Sequence, residues 1–180
     1  MKYQDATIDQ IPQVIVEMVR KNTIKEKRMV EGQEEESTFI KGVSKGMFIT
    51  GPTGTGKTFI LHAIKNRFND IGLKARVRNW VELLLELRQR ASEGYLREEI
   101  GQLCDGILMI DDLGAEKRSE WSQEIIYTLV NRCYEYEVPL FVATNLTHEQ
   151  FQEVYGDRIY SRLIEMCEKV ELSGEDKRFK

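Results

Sequence analysis

The sequence predicts an α/β fold with three layers, in which helices cover both faces of a mainly parallel five-stranded sheet. From Met47 onward, short apolar runs alternate with amphipathic segments, as parallel strands alternate with crossover helices. The first apolar run leads into GPTGTGKT at residues 51–58, and a later run ends in Asp111 and Asp112. Ligands of such sheets bind at the carboxyl ends of the strands, so both motifs are expected at one edge.

The residues before this alternation differ from the rest. Apolar residues recur at helical spacing over residues 8–20, which predicts a helix. Basic residues then dominate 20–28 and acidic residues dominate 31–36. We expect a solvated helix face and loop there, and a segment that docks a partner is the alternative. Residues 1–40 are therefore predicted to be an N-terminal helical segment with a charged linker, and residues 41–180 to be one domain.

Strands and helices alternate through the rest of the chain. The strands are predicted at 47–50, 74–78, 106–110, 139–144 and 168–172. The helices are predicted at 57–71, 80–92, 95–103, 119–137, 148–155 and 157–167. In the strand KARVRN, basic Lys74, Arg76 and Arg78 alternate with apolar side chains, whereas a central parallel strand is apolar on both faces. This is predicted to be an edge strand, and its charges either protect the edge or contact nucleic acid or another subunit.

The stretch GPTGTGKT fits the phosphate-binding pattern G-x-x-x-x-G-K-[ST]. Its glycines allow a tight turn whose backbone N–H groups point at a phosphate, and the following helix adds its positive end. Lys57 is expected to reach the β- and γ-phosphates, and the Thr58 hydroxyl is expected to ligate Mg²⁺. The predicted nucleotide-binding residues are Gly51, Pro52, Thr53, Gly54, Thr55, Gly56, Lys57 and Thr58.

The apolar strand ILMIDD ends in two carboxylates. In a nucleotide site Asp111 would hold the metal, usually through water, and Asp112 would orient an attacking water. A buried strand followed by a solvated acidic loop is the alternative for this motif alone. Because both motifs occur in one chain, the sequence predicts that it binds a nucleoside triphosphate with Mg²⁺.

Composition limits the class of protein. A chain of 180 residues with 41% hydrophobic and 31% charged residues fits one soluble globular domain. No apolar run approaches the ~18 residues of a membrane span, and the N-terminus has no apolar signal core. Three widely spaced cysteines fit a reducing cytoplasm. A net charge of −4 does not describe a protein that coats nucleic acid by bulk electrostatics.

The order of motifs resembles an AAA+ ATPase, and in particular the bacterial DnaC/DnaI-type helicase loaders and the related IstB transposition helpers. The motifs are GPTGTGKT at 51–58, ILMIDDLGAE at 107–116, FVATN at 141–145, GDRIYSRL at 156–163 and DKR at 176–178. The resemblance implies that the nucleotide is ATP, that Asn145 is sensor 1 and that Arg178 is sensor 2. It implies that Arg162 is an arginine finger acting on a neighbouring subunit, with Arg158 as an auxiliary basic residue.

The same resemblance implies where single-stranded DNA would lie. In such loaders the helices after the second strand and the segment after Asp112 face the DNA. Arg88, Ser119 and Trp121 are therefore DNA-binding candidates, although Trp121 is equally suited to the core of its helix. Arg76 and Arg78 join them because of their exposed strand face.

The chain departs from the family pattern in two ways. Many AAA+ proteins have Glu where this chain has Asp112, whose shorter side chain predicts slow hydrolysis, as suits a timed switch. Helicase loaders usually carry a separate helicase-binding domain, yet only 46 residues precede the first predicted strand. We expect that domain to be reduced to the 8–40 region or absent, and we expect little or no C-terminal lid.

Three functions remain open. The resemblance favours an ATP-controlled loader that places a replicative hexameric DNA helicase on single-stranded DNA and self-associates with ATP. An IstB-like transposition helper, which remodels duplex DNA, has nearly the same ATPase motifs. A P-loop kinase for a small molecule is the third, but it needs an acceptor pocket and usually an Arg-rich lid, and neither is evident.

Overall fold

The computed structural model describes residues 3–29, 36–174 and 176, and it contains the predicted alternation. A 3-10 turn, Ile8–Gln10, precedes seven helices within these residues: α1 Gln13–Asn22, α2 Lys57–Asp70, α3 Trp80–Ser92, α4 Leu96–Leu103, α5 Glu120–Glu135, α6 His148–Tyr155 and α7 Asp157–Met166. The strands are β1 Thr23–Met29, β2 Glu36–Val43, β3 Gly46–Thr50, β4 Ala75–Asn79, β5 Ile107–Leu113, β6 Leu140–Thr144 and β7 Cys167–Glu171. The five predicted strands and the six helices from residue 57 onward are confirmed, with ends that shift by a few residues.

The main sheet has the order β4-β5-β6-β3-β7, and all of its pairs are parallel. Its side chains alternate between two cores, so that Phe48 points to one and Met47 and Ile49 point to the other. Helices α3 to α7 bury their apolar faces in the first core, while α1 and α2 share the second. This confirms the three-layer fold, and it places β4 at a sheet edge as predicted.

A β-hairpin occupies the part of the chain for which the sequence predicted a charged linker. Strands β1 and β2 pair antiparallel, from Thr23 opposite Val43 to Met29 opposite Glu36. The prediction of a helix face and loop over residues 20–36 was therefore wrong for β1. Four consecutive charged residues, Lys25 to Arg28, leave no alternation of apolar and polar side chains that would indicate a strand, and pairing with β2 satisfies the backbone hydrogen-bonding groups. Residues 30–35, which hold much of the acidic run, lie outside the described residues.

The helix predicted over residues 8–20 is divided by Pro12. Ile11 is extended, with φ −105° and ψ 162°, and the regular helix begins only at Gln13. Proline disfavours a helical conformation in the residue before it, which explains the break. Ile15, Val16 and Val19 of α1 are buried in the core that α2 also lines.

Candidate functional site

The loop between β3 and α2 has the shape that its sequence predicts. Lys57 is only 5% exposed, and its Nζ donates hydrogen bonds of 2.7 Å to the carbonyl oxygens of Gly51 and Pro52. Gly51 and Gly54 have φ values of 149° and 81°. A Cβ on Gly51 would overlap the carbonyl oxygen of Leu172, the residue that follows β7, so a larger residue is excluded there.

Thr58 and Asp111 meet beside this loop. Asp111 is 5% exposed, and its carboxylate accepts a hydrogen bond from the Thr58 side chain. Burial raises the pKa of the Asp111 carboxyl above its ordinary value, and the Thr58 bond opposes that rise. A hydroxyl and a carboxylate in contact are hard oxygen ligands of the kind Mg²⁺ prefers, so the residues fit that ion.

Asp112 is held in an unusual backbone conformation. Its φ is 56°, in the left-handed region that non-glycine residues seldom occupy. The Asn79 side-chain amide donates to Asp112 Oδ2 at 3.3 Å, and the Asp112 N–H donates to Asp111 Oδ1 at 3.1 Å. Asn79 also caps α3 by accepting from two of its amides. Sequence reasoning missed Asn79, and its position at the end of the strand before α3 was the signal.

The turn after Asp112 is tied to two other elements. Glu116 accepts hydrogen bonds from the Gly114 N–H at 3.0 Å and from the Tyr155 hydroxyl of α6 at 2.7 Å. Burial and the Glu116 carboxylate raise the pKa of Tyr155, which therefore stays a donor. On the other side, the Thr144 hydroxyl donates to the Leu113 carbonyl at 2.6 Å. These contacts fix the path of the chain that carries Asp112.

A cavity of about 680 Å³ lies over the loop, and this volume suits a nucleotide-sized ligand. Its lining includes the loop residues Thr53–Thr58, together with Asp112 and Asn145. It also includes N-terminal residues that the sequence did not predict, namely Tyr3, Gln10, Ile11 and Pro12. The Asn66 side chain of α2 donates to the Ala6 carbonyl at 2.8 Å and thereby anchors this wall.

The segment after β7 also reaches the loop. The Asp176 carboxylate lies so close to Gly54 that a Cβ there would overlap it. Leu172 and Ser173 line the cavity. Arg178, predicted to be a second sensor, lies outside the described residues.

The two arginines of α7 lie away from the cavity, and neither is part of its lining. The Arg162 Cζ lies 5.5 Å from the ring centroids of both Tyr127 and Tyr134, and the Arg158 Cζ lies 5.3 Å from that of Tyr127. One Arg162 terminal nitrogen, Nη1, is buried without a hydrogen-bond partner. Within the part of the chain that the structure describes, neither arginine forms an ion pair.

Comparison with known protein families places the chain in a family. The family described as "IstB-like ATP binding protein" matches residues 23–180. The chain belongs to that family. This membership supports nucleotide binding by the loop of this IstB-like protein, and the fold is the P-loop AAA+ fold that the sequence predicted.

Known relatives of this IstB-like protein include replication proteins. The replicative helicase loader DnaI of Bacillus subtilis is 26% identical over 151 residues, which are 76% of this chain and 49% of DnaI. A crystal structure of the DnaC helicase loader superposes with a TM-score of 0.76 at 20% identity, covering 96% of this chain and 99% of that one. The structure of AMPPCP-bound DnaA from Aquifex aeolicus superposes with a TM-score of 0.73 at 20% identity, covering 98% of this chain and 53% of that one. The chain spans about half the length of the curated relatives it matches.

The predicted DNA-binding residues of this IstB-like protein make contacts within the chain. Arg76 donates to the Asp105 carbonyl at 3.1 Å, and Arg78 pairs with Glu86. Arg88 stacks 4.7 Å from the ring centroid of Trp121, whose side chain is half-buried against the core. The Ser119 hydroxyl caps α5 by accepting from the Ser122 N–H at 3.1 Å. Each contact provides a structural role for these residues, and their contact with DNA stays a prediction.

Among the described residues, no helix is long and apolar enough to cross a lipid bilayer.

Proposed function

We propose that this protein is a Mg²⁺-dependent ATP switch that hydrolyses ATP slowly and loads a replicative DNA helicase onto single-stranded DNA. The observation that carries the ATPase part is the contact between Thr58 and buried Asp111 beside Lys57, at the edge of a cavity that Asp112 lines. A phosphate loop, an oxygen ligand pair and a second carboxylate together provide the groups that phosphoryl transfer to water requires.

Each group at the loop has a separate task. Lys57 would exchange its bonds to loop carbonyls for bonds to the β- and γ-phosphates, which are stronger because both partners are charged. Thr58 and Asp111 would hold Mg²⁺. The ion would neutralise charge that develops between the two phosphates during transfer.

Asp112 would orient the attacking water and accept its proton. The amide of Asn79 keeps the Asp112 carboxylate in place, and Asn145 lines the same cavity from the end of β6. Asp is one methylene shorter than the Glu of many AAA+ proteins, so the carboxylate stands further from the γ-phosphate. Slow turnover follows from that distance, and it suits a switch whose state must last.

Arg162 would complete the site of a neighbouring copy, with Arg158 as an auxiliary charge. Its guanidinium does not line its own cavity, belongs to a half-buried side chain and is not neutralised by an ion pair with a described residue. An arginine in this condition is suited to an anion that arrives with another molecule. The active form is therefore an ATP-dependent oligomer. Arg178 remains a proposed sensor 2.

The proposed partners are a replicative hexameric helicase and single-stranded DNA. Support for the helicase comes from DnaI, a replicative helicase loader that aligns over 76% of this chain. The proposed DNA surface consists of the edge strand with Arg76 and Arg78, the Arg88 and Trp121 stack, and Ser119.

Affinity capture tests the proposed partner directly. The tagged protein is incubated with the purified replicative helicase of its host, with ATP, with ADP and without nucleotide. We expect ATP-dependent capture that the Lys57→Ala variant fails to show, and ATP turnover that changes when single-stranded DNA is added. Equal absence of capture with all three, while the protein still turns over ATP, contradicts the loader function and leaves the ATPase intact.

An IstB-like transposition helper is the second candidate function, because the matching family is described as an IstB-like ATP binding protein. Such a helper would bind duplex DNA and a transposase, whereas a loader would bind the helicase. The same capture experiment with the transposase encoded nearest to its gene therefore separates the two functions.

A further inference from the structure

Two tyrosines of α5 form the surface on which Arg162 rests. Tyr127 and Tyr134 are seven residues apart, which is two helical turns, so their rings lie on one side of α5. The Arg162 Cζ is 5.5 Å from each ring centroid, within the distance at which a cation is attracted to an aromatic face. The guanidinium is therefore held by two rings on a helix whose other side is packed in the core.

The hydroxyl of Tyr134 fixes one of these rings. It donates to Glu165 at 2.9 Å, and this bond raises the pKa of Tyr134, so the hydroxyl keeps its proton. Glu165 is the acid nearest to Arg162 on α7, three residues further along the chain. Because its carboxylate accepts from the Tyr134 hydroxyl, Glu165 fixes the Tyr134 ring and forms no ion pair with Arg162.

Rings and carboxylates hold an arginine with different consequences. A carboxylate would fix the guanidinium and also cancel its charge, whereas ring faces fix it and leave the charge available. The neighbouring Arg158, which shares the Tyr127 ring, adds positive charge to the same patch. Arg162 as a whole is half-buried, and its guanidinium forms no ion pair with a described residue, so its charge is not cancelled within the described part of the chain.

We propose that Tyr127 and Tyr134 are positioning residues, which hold the Arg162 guanidinium ready for the γ-phosphate of a nucleotide bound to the neighbouring copy. This inference rests on the proposed role of Arg162 in trans. The rings reduce the number of side-chain conformations that the arginine must give up when the subunits meet, so they act on the rate of hydrolysis and leave nucleotide binding to the loop.

Paired substitutions test the rings separately from the hydroxyls. Tyr127→Leu and Tyr134→Leu remove a ring, whereas Tyr127→Phe and Tyr134→Phe keep it. We expect each leucine variant to lower kcat for ATP by about two- to thirtyfold, which corresponds to one cation–π contact, with KM for ATP unchanged. Tyr127→Phe should keep full activity, and Tyr134→Phe should lose less than Tyr134→Leu. Equal losses in the phenylalanine and leucine variants would overturn the role of the rings.

Mixed assemblies show on which subunit Tyr127 acts. In the reference mixture, Arg162→Ala chains keep an intact loop, and Lys57→Ala chains donate an intact arginine, so activity arises only at the junction between the two. Adding Tyr127→Leu to the Lys57→Ala chain should lower the activity of the mixture by the factor seen in the single variant. Adding Tyr127→Leu to the Arg162→Ala chain should leave the activity of the mixture equal to that of the reference mixture.

The outcomes distinguish the proposed trans role of Arg162 from the positioning role of Tyr127 and Tyr134. If Arg162→Ala alone keeps normal turnover, the proposed trans role of Arg162 fails, and the inference fails with it. If Arg162→Ala loses turnover but both leucine variants match the unmodified chain, only the role of the tyrosines is overturned. A loss that follows Tyr127→Leu equally on either chain of the mixture also overturns it, because the defect would then be a general loss of structure.

Discussion

The charged side chains at the phosphate loop and those on α7 have different kinds of partner within the chain. At the loop, charged groups have polar partners within the chain: Lys57 donates to two carbonyls, Asp111 accepts from Thr58, and Asp112 accepts from Asn79. On α7, Arg158 and Arg162 lie against aromatic rings, and neither forms an ion pair with a described residue.

This difference suits the two groups to different tasks: the loop residues to binding the nucleotide, and the α7 arginines to completing the site of a neighbouring copy, as proposed above. The two aspartates keep their geometry before a ligand arrives, which is the preorganisation that a binding site needs, while Lys57 would exchange its carbonyl partners for phosphate. Charges without internal counter-charges gain most when an external anion approaches. Loss of Lys57 should therefore weaken nucleotide binding, whereas loss of Arg162 should abolish only the chemical step, and loss of the Asp112 carboxylate should do the same.

Arg162→Ala should have the largest effect on rate and leave ATP affinity nearly unchanged. An arginine that stabilises transition-state charge from a neighbour contributes about 10³–10⁵ in rate. Turnover by the unmodified chain should also rise faster than linearly with protein concentration. Arg67→Ala, an exposed arginine of α2, is the matched control. Concentration-independent specific activity that Arg162→Ala does not change would remove the distinction between the loop residues and the α7 arginines.

Asp112→Asn should block hydrolysis and spare binding. The amide has the same size, but it cannot accept the proton of the attacking water, and a general base typically contributes about 10²–10⁴ in rate. Nucleotide affinity by calorimetry and phosphate release provide the two measurements. If Asp112→Asn turns over ATP normally, the base lies elsewhere, and Glu116→Gln becomes the next variant to measure.

Lys57→Ala should weaken Mg-ATP binding to the point that it is no longer tight. Charge-assisted hydrogen bonds contribute about 1.5–3 kcal/mol each, so loss of one lowers affinity by about 10- to 150-fold. The backbone amides of the loop remain, and the fold should remain with them. Titration with a fluorescent ATP analogue measures the loss, with Arg67→Ala again as control. Unchanged affinity would mean that the loop does not bind the nucleotide.

Reversal of Arg76 and Arg78 to Glu should have the smallest effect. If the edge strand contacts single-stranded DNA, the double variant binds DNA more weakly and with a flatter salt dependence, because fewer phosphates are neutralised. Glu86→Gln is the informative control, since it releases Arg78 from its ion pair and should preserve DNA affinity. The same affinity for both variants across a salt series would assign these arginines to protection of the sheet edge.

The sequence predicted those features that a continuous segment determines. GPTGTGKT specifies its own turn, and the alternation in KARVRN marked β4 as an edge strand, which the sheet order confirms. The helices and strands of the main domain follow from periodicity, because each one buries a regular face. By contrast, β1 carries four consecutive charged residues and shows no alternation of apolar and polar side chains, so the hairpin was not predicted.

Contacts between distant residues were not predictable in this way. Asn79 meets Asp112 because β4 and β5 are adjacent in register, with Asn79 paired to Asp111. Tyr155 reaches Glu116 across 39 residues. The carbonyl of Tyr3, near the start of the chain, accepts a hydrogen bond from Asn66 of α2, and Tyr3 lines the cavity. The roles assigned to Asn145, Arg158, Arg162 and Arg178 stay predictions, and the last of them lies outside the described residues.

The placement of the loop and the arginines gives each copy a direction. The loop opens helix α2 on one face of the sheet, and Arg162 stands on α7 on the other face. The proposed junction, which joins the arginine of one copy to the loop of the next, would use two different surfaces, so copies would add head to tail. An open arc of n copies would then have n−1 completed sites, an unused loop at one end and an unused arginine at the other. Activity per chain would then rise with the number of copies in the arc. Because the two ends differ, a partner that binds one end would bind the assembly in a single orientation.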